Sequence, residues 1–306
     1  MKGLELCRAY FEAYGRPMLE NEFSDVIDRI AVGLVGHGSE CFGFDDEISR
    51  DHDFEPGFCL WITEEDEKKF GFKLFRAYRK LPKEFMGITL QNESLFGSDS
   101  RGVRTIGEFY RYYTGCRGAP DSLEAWIKIP SFYLAEATNG EVFRDPLGEF
   151  SRIRREISNG MPEDARKKRL ASSLFLMAQA GQYNVSRCIK HGELAAASLA
   201  LSKFAENALQ VFFLLNHQFC PYYKWSFKAL DFLSVLTKEG ELLKSLVTRP
   251  IDINSVEDID RIARGVITEL INQGLCQVNG DYLETYAYNV QDSILDPNIR
   301  NMPIIL

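Results

Sequence analysis

The chain has 306 residues, of which 45% are hydrophobic and 26% are charged, and its net charge is −8 with a pI near 5.2. This length predicts two domains, and the composition excludes a disordered chain and a core that needs disulfides or structural metals. The acidic balance argues against a dedicated nucleic-acid binder, because neutralising phosphates requires a basic face. A polynucleotide partner is therefore not expected, although a local basic pocket within an acidic protein stays open as an alternative.

The cysteines and the apolar runs predict a cytoplasmic protein with no membrane partner. There are seven cysteines, an odd number without a C-x-x-C pair, and this pattern is typical of reduced thiols. Glu5 and Arg8 interrupt any apolar signal-peptide region. The longest strongly apolar run, 209–215, is far shorter than the ~20 residues that a membrane span needs.

The first half of the chain mixes helical and strand-like patterns. Apolar residues at helical spacing predict a helix over 4–14, which Gly15-Arg16-Pro17 ends, and a second helix over 64–81. Apolar runs bounded by turn residues predict strands at 29–35, at 58–62, at the start of 103–113 and, after the turn at Asn139-Gly140, at 141–143. The polar stretch 91–102 is expected to form a loop.

The second half of the chain is almost continuously helical in pattern. Helices are predicted over 163–180, 193–217, 224–237 and 256–273, with a last one after Asp281. The pattern of 256–273 is the clearest, because Ser255 and Asp258 mark its start and Gly274 its end. The predicted fold class is α+β, with a small mixed-sheet domain over 1–158 followed by a helical bundle over 159–306.

The stretch from Gly36 to Asp53 carries the pattern that is most informative about chemistry. Gly38 and Ser39 follow a predicted strand, where a turn into a helix can offer backbone N–H groups and a hydroxyl to a triphosphate. Asp51 and Asp53 are two residues apart on a segment expected to be extended, so both carboxylates should point to one side and hold Mg²⁺ together. A metal in that position neutralises charge that develops during displacement at the α-phosphorus.

This stretch resembles the signature of the polymerase-β-like nucleotidyltransferase superfamily. That signature is a Gly-Ser pair and, after a short gap, an Asp-x-Asp motif before a strand; the gap here is eleven residues. More narrowly, residues 43–53 resemble the signature of an uncharacterised bacterial branch of that superfamily, a domain of unknown function. The other segments that resemble this branch are 137–145, 181–184 with Arg187, and 221–225. The resemblance covers most of residues 1–235 and implies a mixed-sheet catalytic domain followed by a helical bundle, as in aminoglycoside nucleotidyltransferases.

The resemblance implies Mg²⁺-dependent transfer of a nucleoside monophosphate from a nucleoside triphosphate, with ATP favoured, to an acceptor hydroxyl. Asp51 and Asp53 would be the metal ligands and catalytic carboxylates, and Gly38 and Ser39 would hold the phosphates. Lys224 and Arg187 would reach the triphosphate from a cleft between the domains; a surface lysine and a polar loop are the alternatives. The acceptor is expected to be a small molecule.

One position departs from the superfamily pattern. A third carboxylate, expected on a later strand, would fall within 101–105, which reads Arg-Gly-Val-Arg-Thr and contains no acid. Glu108 is the nearest substitute and is the residue predicted to supply this catalytic carboxylate, with Glu136 and Glu141 as alternatives. If none of them serves, the chain would be a catalytically silent nucleotide-binding regulatory module. A toxin-like enzyme that modifies tRNA or protein is a third hypothesis.

Other residues in the same stretch have structural explanations, and other site classes fail on spacing. Asp45, Asp46 and Glu47 are expected to supply favourable charge at a helix start, and His52 is expected to be structural. His37 is a possible general base, because imidazole titrates near neutral pH. The stretch does not fit the motif of a serine hydrolase (G-x-S-x-G), of a dinucleotide-binding turn or of an EF-hand calcium loop.

Overall fold

The computed structural model describes residues 1–51, 54–89, 101–277 and 280–306, and for Arg50 and Asp51 it describes the backbone alone. These residues form two compact units. The first contains 1–121 and 133–160, and the second contains 122–132 and 161–306. Within the described ranges every strand belongs to the first unit, so the predicted α+β class is confirmed.

The first unit consists of a small sheet, a short hairpin and several helices, numbered here in chain order through both units. The strands of the sheet are β1 (Ala31–Leu34), β2 (Cys59–Ile62), β5 (Gly102–Thr105) and β6 (Glu141–Arg144), and those of the hairpin are β3 (Glu84–Phe85) and β4 (Ile88–Thr89). The α-helices are α1 (Gly3–Tyr10), α2 (Arg16–Glu22), α3 (Glu64–Asp66), α4 (Phe72–Tyr78), α5 (Ile106–Thr114), α8 (Glu149–Asn159) and α7 (Ser131–Thr138), which begins in the second unit. Shorter turns of 3₁₀-helix cover Ile27–Arg29, Glu40–Phe42 and Ile48–Asp51, and π-helix covers Phe11–Gly15 and Glu67–Gly71.

The strand order of the sheet is β5-β2-β1-β6, and it decides which loops meet. β1 is antiparallel to both β2 and β6, whereas β2 and β5 are parallel. Gly33 pairs with Cys59, Cys59 with Gly102, and Leu34 with Glu141. The end of β1 therefore lies at the same edge as the starts of β2, β5 and β6, and we call this edge the exit edge.

Side chains alternate across the sheet and bury both of its faces. On one face Leu60 and Ile62 join an apolar cluster with Phe11 and Phe58. On the other face Trp61, which is fully buried, stacks on Phe150 at a ring-centroid distance of 3.9 Å. The strands at the exit edge are thus held in a core on both sides, which makes them a rigid base for the loops.

The N-terminal helix is longer than the sequence predicted. α1, the π-helical turn Phe11–Gly15 and α2 follow one another without a break, so the helix does not end at Gly15-Arg16-Pro17. Pro17 follows the π-helical turn, in which Arg16 N donates to Phe11 O, and the helix continues past this proline as α2. A Cβ atom at Gly15 would lie 2.5 Å from the Phe58 ring, so this glycine permits close packing and does not end the helix.

The second unit is all helical in the ranges described. Its α-helices are α6 (Leu123–Lys128), α9 (Glu163–Met177), α10 (Ser186–Lys190), α11 (Leu194–Leu215), α12 (Tyr223–Ala229), α13 (Thr237–Thr248), α14 (Asn254–Asn272), α15 (Leu283–Asp292) and α16 (Pro297–Arg300). A π-helical segment, Ala178–Val185, joins α9 to α10, and a 3₁₀ turn, Leu230–Phe232, follows α12. No helix in the described part of the chain has the length and apolar character to cross a membrane.

The prediction of one helix over 224–237 is wrong. α12 ends at Ala229, and α13, which the sequence did not predict, begins at Thr237. Leu236 has a left-handed backbone with φ of 62°, a conformation that no α-helix continues through.

A buried arginine explains why residues 122–132 belong to the second unit, although the sequence had grouped them with the first domain. Arg169 on α9 donates hydrogen bonds to the carbonyl oxygens of Trp126 at 3.0 Å and Ile129 at 2.8 Å. Burial lowers the pKa of Arg169 to about 10. Its guanidinium satisfies carbonyl groups where α6 ends, and the segment is thereby fixed on α9.

Candidate functional site

The chain leaves β1 through a glycine-containing turn, residues 36–39, which we call the glycine loop. Gly36 and Gly38 have φ values of 121° and 113°, a backbone region that is essentially restricted to glycine. A Cβ atom at Gly36 would lie 2.5 Å from Tyr113 Oη, and one at Gly38 would lie 2.4 Å from a carboxylate oxygen of Glu40. Both glycines are therefore required, by backbone conformation and by the close approach of neighbouring side chains.

The turn that leads into β6 holds the glycine loop in place. The side chain of Asn139 accepts a hydrogen bond from Gly36 N and donates one to Gly36 O, both at 2.8 Å. Gly140 N donates to Cys41 O at 2.7 Å, just beyond the loop. The loop is thus bonded on both of its sides to the turn at the exit edge.

Arg154 on α8 supports the same turn from behind. Its guanidinium donates hydrogen bonds to the carbonyl oxygens of Thr138, Asn139 and Gly140 at distances between 2.8 and 3.1 Å. Burial lowers the pKa of Arg154. One guanidinium therefore bonds three carbonyl groups. Hydrogen bonds connect α8 to the turn through Arg154, and the turn to the glycine loop through Asn139.

The glycine loop presents donors that the described part of the chain does not use. No hydrogen bond joins the backbone N–H of Gly38, the backbone N–H of Ser39 or the Ser39 hydroxyl to any residue that the structure describes. Ser39 is half-buried and begins the 3₁₀ turn Glu40–Phe42. Consecutive unused N–H groups and a hydroxyl at a turn are suited to binding an anion.

Arg101 occupies the position where the superfamily pattern led us to expect an acid. It lies immediately before β5 at the exit edge, and its guanidinium contacts Glu40 at 3.2 Å and Glu55 at 3.0 Å. All three side chains are largely buried, with exposed fractions of 10%, 9% and 24%. Arg101 therefore ties together the chain on both sides of the segment that contains Asp51 and Asp53.

Of Asp51 and Asp53, the predicted metal ligands, the structure describes only the backbone of Asp51. The side chain of Asp51 and the whole of Asp53 lie outside the described residues, as do His52 and residues 91–100 of the predicted loop. The backbone of Asp51 ends the 3₁₀ helix Ile48–Asp51, so the expected extended conformation is wrong at this residue. The chain then enters β2 at the exit edge, which is the edge that carries the glycine loop.

The prediction of Glu108 as the acid of the site is not supported by the topology. Glu108 follows Thr105, which ends β5 at the edge opposite the exit edge. Its backbone N–H donates to Thr105 Oγ1 at 3.1 Å, and its side chain is exposed in the first turn of α5. An acid there is favoured by the helix dipole. α5 returns toward the glycine loop only at Tyr113.

Of the two alternative acids, only Glu136 contacts the glycine loop. Glu136 on α7 is 4% exposed, and its Oε2 lies 2.8 Å from Nδ1 of His37, which is half exposed. Glu141 instead pairs with Arg8, and both of those side chains are half exposed. A buried carboxylate beside an imidazole is the arrangement that acid–base chemistry uses, so this pair is the candidate for proton transfer at the loop.

Asp45 and Asp46 serve as caps, in agreement with the structural explanation. Asp45 is buried and accepts a hydrogen bond from Gly3 N at 2.8 Å, at the start of α1. Asp46 Oδ1 accepts from the backbone N–H groups of Ile48 and Ser49 at 3.1 Å, at the start of a 3₁₀ turn. Neither carboxylate is directed to the glycine loop by these bonds.

Arg187 and Lys224 belong to the second unit. Arg187 is exposed on α10, with its guanidinium carbon 5.1 Å from the centre of the Tyr183 ring, and Lys224 is exposed in the first turn of α12. Their neighbours in sequence line a cavity of about 850 Å³ within this unit, among them Asn184, Cys188, Tyr222, Tyr223 and Ser226. The fold therefore brings the segments that carry these two cations to one cavity, although neither cation lines it.

Sequence reasoning missed the residues that hold the site together. The turn at Asn139-Gly140 was visible, but the bonding of Asn139 to Gly36 joins residues far apart in the chain. Arg154 and Arg101 leave no local pattern, because their partners are carbonyl groups and glutamates from other elements. Among the side chains that the structure describes, which do not include those of Asp51 and Asp53, no group of three or more His, Cys, Asp and Glu could hold a metal.

Residues 126–226 match the family model described as a domain of unknown function (DUF4037). This stretch is less than half of the chain, and every residue that lines the cavity of the second unit lies within it. Neither the curated proteins nor the solved structures contain a match to the chain.

Proposed function

We propose that the protein transfers a nucleoside monophosphate from a nucleoside triphosphate, ATP by preference, to an acceptor hydroxyl and releases pyrophosphate. The observation that carries the proposal is the glycine loop, whose N–H donors no described residue uses. The loop lies at the edge of the sheet where β2 begins, and β2 is the strand that follows Asp51 and Asp53 in the sequence. A triphosphate needs such donors together with carboxylates that can share a magnesium ion.

In this proposal Gly38 and Ser39 hold phosphate oxygens through their backbone N–H groups and the Ser39 hydroxyl. Asp51 and Asp53 would hold magnesium, because two carboxylates so close in sequence supply the hard oxygen ligands that this ion prefers. When bound, the ion would supply charge neutralisation at the α-phosphorus. Arg101 would keep the flanks of this segment fixed while its charge is offset by Glu40 and Glu55.

The His37–Glu136 pair would replace the missing third carboxylate. Its contact of 2.8 Å places a buried acid and a half-exposed imidazole at the glycine loop. The pair would take up the proton of the acceptor hydroxyl as that oxygen attacks the α-phosphorus, and pyrophosphate would leave with the electrons of the broken P–O bond. Glu136 thus takes the role that the sequence had assigned to Glu108.

A reducing, cytoplasmic location is part of the proposal. All seven cysteines are free, and five of them are buried. Free buried thiols are typical of proteins that live in a reducing compartment.

The test is Mg²⁺-dependent release of pyrophosphate from ATP in the presence of a library of small hydroxyl compounds. We expect wild-type turnover with at least one acceptor, and a fall of about 10²–10⁴-fold in kcat for Glu136→Gln. Glu141→Gln is the matched control, since Glu141 is half exposed and paired with Arg8, and its rate should stay within a few-fold of wild type.

One result would count against the role of the pair, and another against the proposed activity. Full activity of Glu136→Gln would remove the pair from the mechanism while leaving the activity in place. ATP binding without pyrophosphate release for any acceptor would favour a regulatory nucleotide-binding module.

A further inference from the structure

Positive charge is concentrated in the chain that follows the first turn of the helix after β2. Residues 68–83 contain seven lysines and arginines and no aspartate or glutamate, in a chain with a net charge of −8. Most of these cations lie on the π-helical turn Glu67–Gly71 and on α4, within the first unit. The helix begins with Glu64, Glu65, Asp66 and Glu67, so the positive charge is confined to its later turns and to the residues that follow it. There it can produce a local potential opposite to that of the whole molecule.

Two large aromatic side chains are exposed on the same helix. Its inner side is formed by Gly71, Leu74 and Ala77, all buried. Phe72 and Phe75 lie on the outer side, with exposed fractions of 73% and 45%. The two phenylalanines are three residues apart and therefore neighbours on the helix surface, so they form one aromatic face.

Each exposed ring has an arginine one turn further along the helix. The guanidinium carbon of Arg76 lies 5.9 Å from the centre of the Phe72 ring, and that of Arg79 lies 5.9 Å from the centre of the Phe75 ring. Lys68 is exposed one turn before Phe72 and has no ion pair within the described residues. We call Lys68, Phe72, Phe75, Arg76 and Arg79 the basic–aromatic face.

Simpler explanations account for only part of this face. Lys69 pairs with Glu65 at 2.5 Å, and Lys73 donates to Glu22 O at 2.9 Å, so these two lysines have local partners. The helix dipole favours cations in the last turn, which covers Arg79 but not Lys68 in the second turn of the helix. Neither effect accounts for the exposure of Phe72 and Phe75, because an exposed ring forgoes the hydrophobic stabilisation that burial would give.

We propose that the basic–aromatic face binds single-stranded nucleic acid. Unpaired bases stack on exposed aromatic rings, and cations spaced along the same groove or helix contact the phosphates between them. Phe72 and Phe75 supply the two stacking surfaces, and Lys68, Arg76 and Arg79 supply charge on both sides of them. Alternation of rings with cations fits a polyanion with flat bases better than a lipid bilayer, which favours one continuous apolar side.

This inference does not depend on the proposed nucleotide transfer, and it revises the expectation that the acidic composition disfavours a polynucleotide. That expectation concerned the average charge of the chain, whereas phosphate contacts depend on the charge of one face. If both proposals hold, a polynucleotide is a candidate for the acceptor.

The test is fluorescence anisotropy of a labelled oligouridylate of about 16 nucleotides, titrated with the full chain over a range of salt concentrations. We expect Phe72→Ala/Phe75→Ala to weaken binding about ten- to hundredfold with little change in salt dependence. Lys68→Gln/Arg76→Gln should weaken binding and reduce the slope of log K against log salt by about 1.4, the value for two phosphate contacts on a single strand.

The matched controls alter the same residue types on the second unit. Phe232→Ala removes a phenylalanine that is 70% exposed, and Lys190→Gln/Lys238→Gln removes two exposed lysines. Both controls should bind within about twofold of wild type, and unchanged thermal melting of all variants would exclude unfolding as the cause of weaker binding.

Three outcomes would overturn the proposal. The first is that the wild-type chain fails to bind the oligonucleotide at low salt. The second is that the controls lose as much affinity as the face variants. The third is that the wild-type chain binds vesicles containing phosphatidylserine but not the oligonucleotide, and that the face variants do not bind the vesicles. This result would assign the face to an anionic membrane. Because the readout is binding of the oligonucleotide alone, failure here leaves the pyrophosphate assay unaffected.

Discussion

Single glycines decide whether the glycine loop can form its observed shape. Gly36 combines a φ of 121° with a contact that leaves no room for a Cβ atom beside Tyr113 Oη. Gly43 also has a positive φ, 69°, but nothing lies within 4 Å of the position of a Cβ atom there. Gly43 therefore measures the cost of a left-handed backbone alone, whereas Gly36 combines a clash with a backbone region that is more strictly limited to glycine.

We expect Gly36→Ala to lower the free energy of unfolding by about 3 kcal/mol or more, since backbone strain and overpacking each cost about 1–3 kcal/mol. Gly43→Ala should cost about 1–2 kcal/mol, which is the left-handed backbone alone. Adding Tyr113→Phe to Gly36→Ala removes the hydroxyl and should restore part of the loss. Urea unfolding measures all of these values, and equal losses for the two glycines would contradict the packing described at Gly36.

At the residue scale, the sequence makes the glycine loop visible but not the groups that position it. Gly38 and Ser39 are recognisable as small residues after a strand, and the structure places them in a turn with N–H groups that no described residue uses. Glu108 was preferred over Glu136 because it is nearer in sequence to the empty position, but it lies at the opposite edge of the sheet. Distance along the chain is a poor guide where strands reverse direction.

At the scale of elements, α8 is fixed to the glycine loop through one side chain. Arg154 satisfies three carbonyl groups of the turn at 138–140, and removing it would leave those groups without their donor. On the same helix, the side chain of Arg152 makes one contact with the described residues, an exposed ion pair with Glu156 at 2.5 Å. The two arginines thus compare a half-buried side chain that bonds three carbonyl groups with a surface ion pair.

We expect Arg154→Ala to lower the free energy of unfolding by about 2–4 kcal/mol, because three half-buried carbonyl groups lose their charged donor. Arg152→Ala should cost about 0.3–0.5 kcal/mol, the usual value for an exposed pair one helical turn apart. Urea unfolding of both variants is the measurement. Similar small losses would mean that the turn does not depend on α8.

A second buried cation fixes the C-terminal residues to α9. Lys168 is fully buried, and its ammonium group donates to Gln291 Oε1 at 2.8 Å, to Ile304 O at 3.2 Å and to Pro303 O. Burial lowers the pKa of Lys168 to about 8 from the ordinary value of 10.5. Between these two pH values the unfolded chain binds more protons at this residue than the folded chain.

The free energy of unfolding contributed by Lys168 should therefore rise as pH rises from about 8 to about 10.5, by at most about 1.4 kcal/mol per pH unit. Lys168→Met removes the titrating amine. The difference in the free energy of unfolding between wild type and this variant therefore isolates the contribution of Lys168 from that of other titrating groups. We expect urea unfolding to show this difference shifting in favour of wild type between pH 7.5 and pH 9.5, by about 1–2 kcal/mol. Lys167→Met, which deletes a half-buried neighbour, is the control, and a shift of the opposite sign would contradict the burial of the charge.

Helix and strand prediction succeeded where one local pattern decides the structure. The apolar spacing of 256–273 corresponds to α14, and the short runs at 29–35 and 58–62 contain β1 and β2. The predicted end at Gly15 and the predicted helix over 224–237 were wrong because packing on Phe58 and a left-handed Leu236 decided the outcome. Neither contact can be inferred from nearby residues.

At the scale of the whole molecule, the sequence predicted the α+β class and the concentration of helices in the second half. It did not predict that residues 122–132 would join the second unit, since this depends on the buried Arg169 of a distant helix. Net charge was also an incomplete guide, because seven cations of an acidic chain fall within residues 68–83. Averages over the chain describe its class, and local arrangements decide its sites.

The central claim is that the glycine loop and the carboxylates of Asp51 and Asp53 form one magnesium-dependent nucleotide site. The most direct test is isothermal titration of ATP into the full chain with and without Mg²⁺, for wild type, Asp51→Asn and Asp53→Asn. Asp25→Asn is the control, since Asp25 is an exposed aspartate of the first unit with no ion pair in the described residues.

We predict that wild type and Asp25→Asn bind ATP only with Mg²⁺, and that each of the other variants weakens that binding by about tenfold or more, because one hard carboxylate ligand is lost. Absence of ATP binding by wild type, or equal magnesium-dependent binding by all four proteins, would contradict the claim.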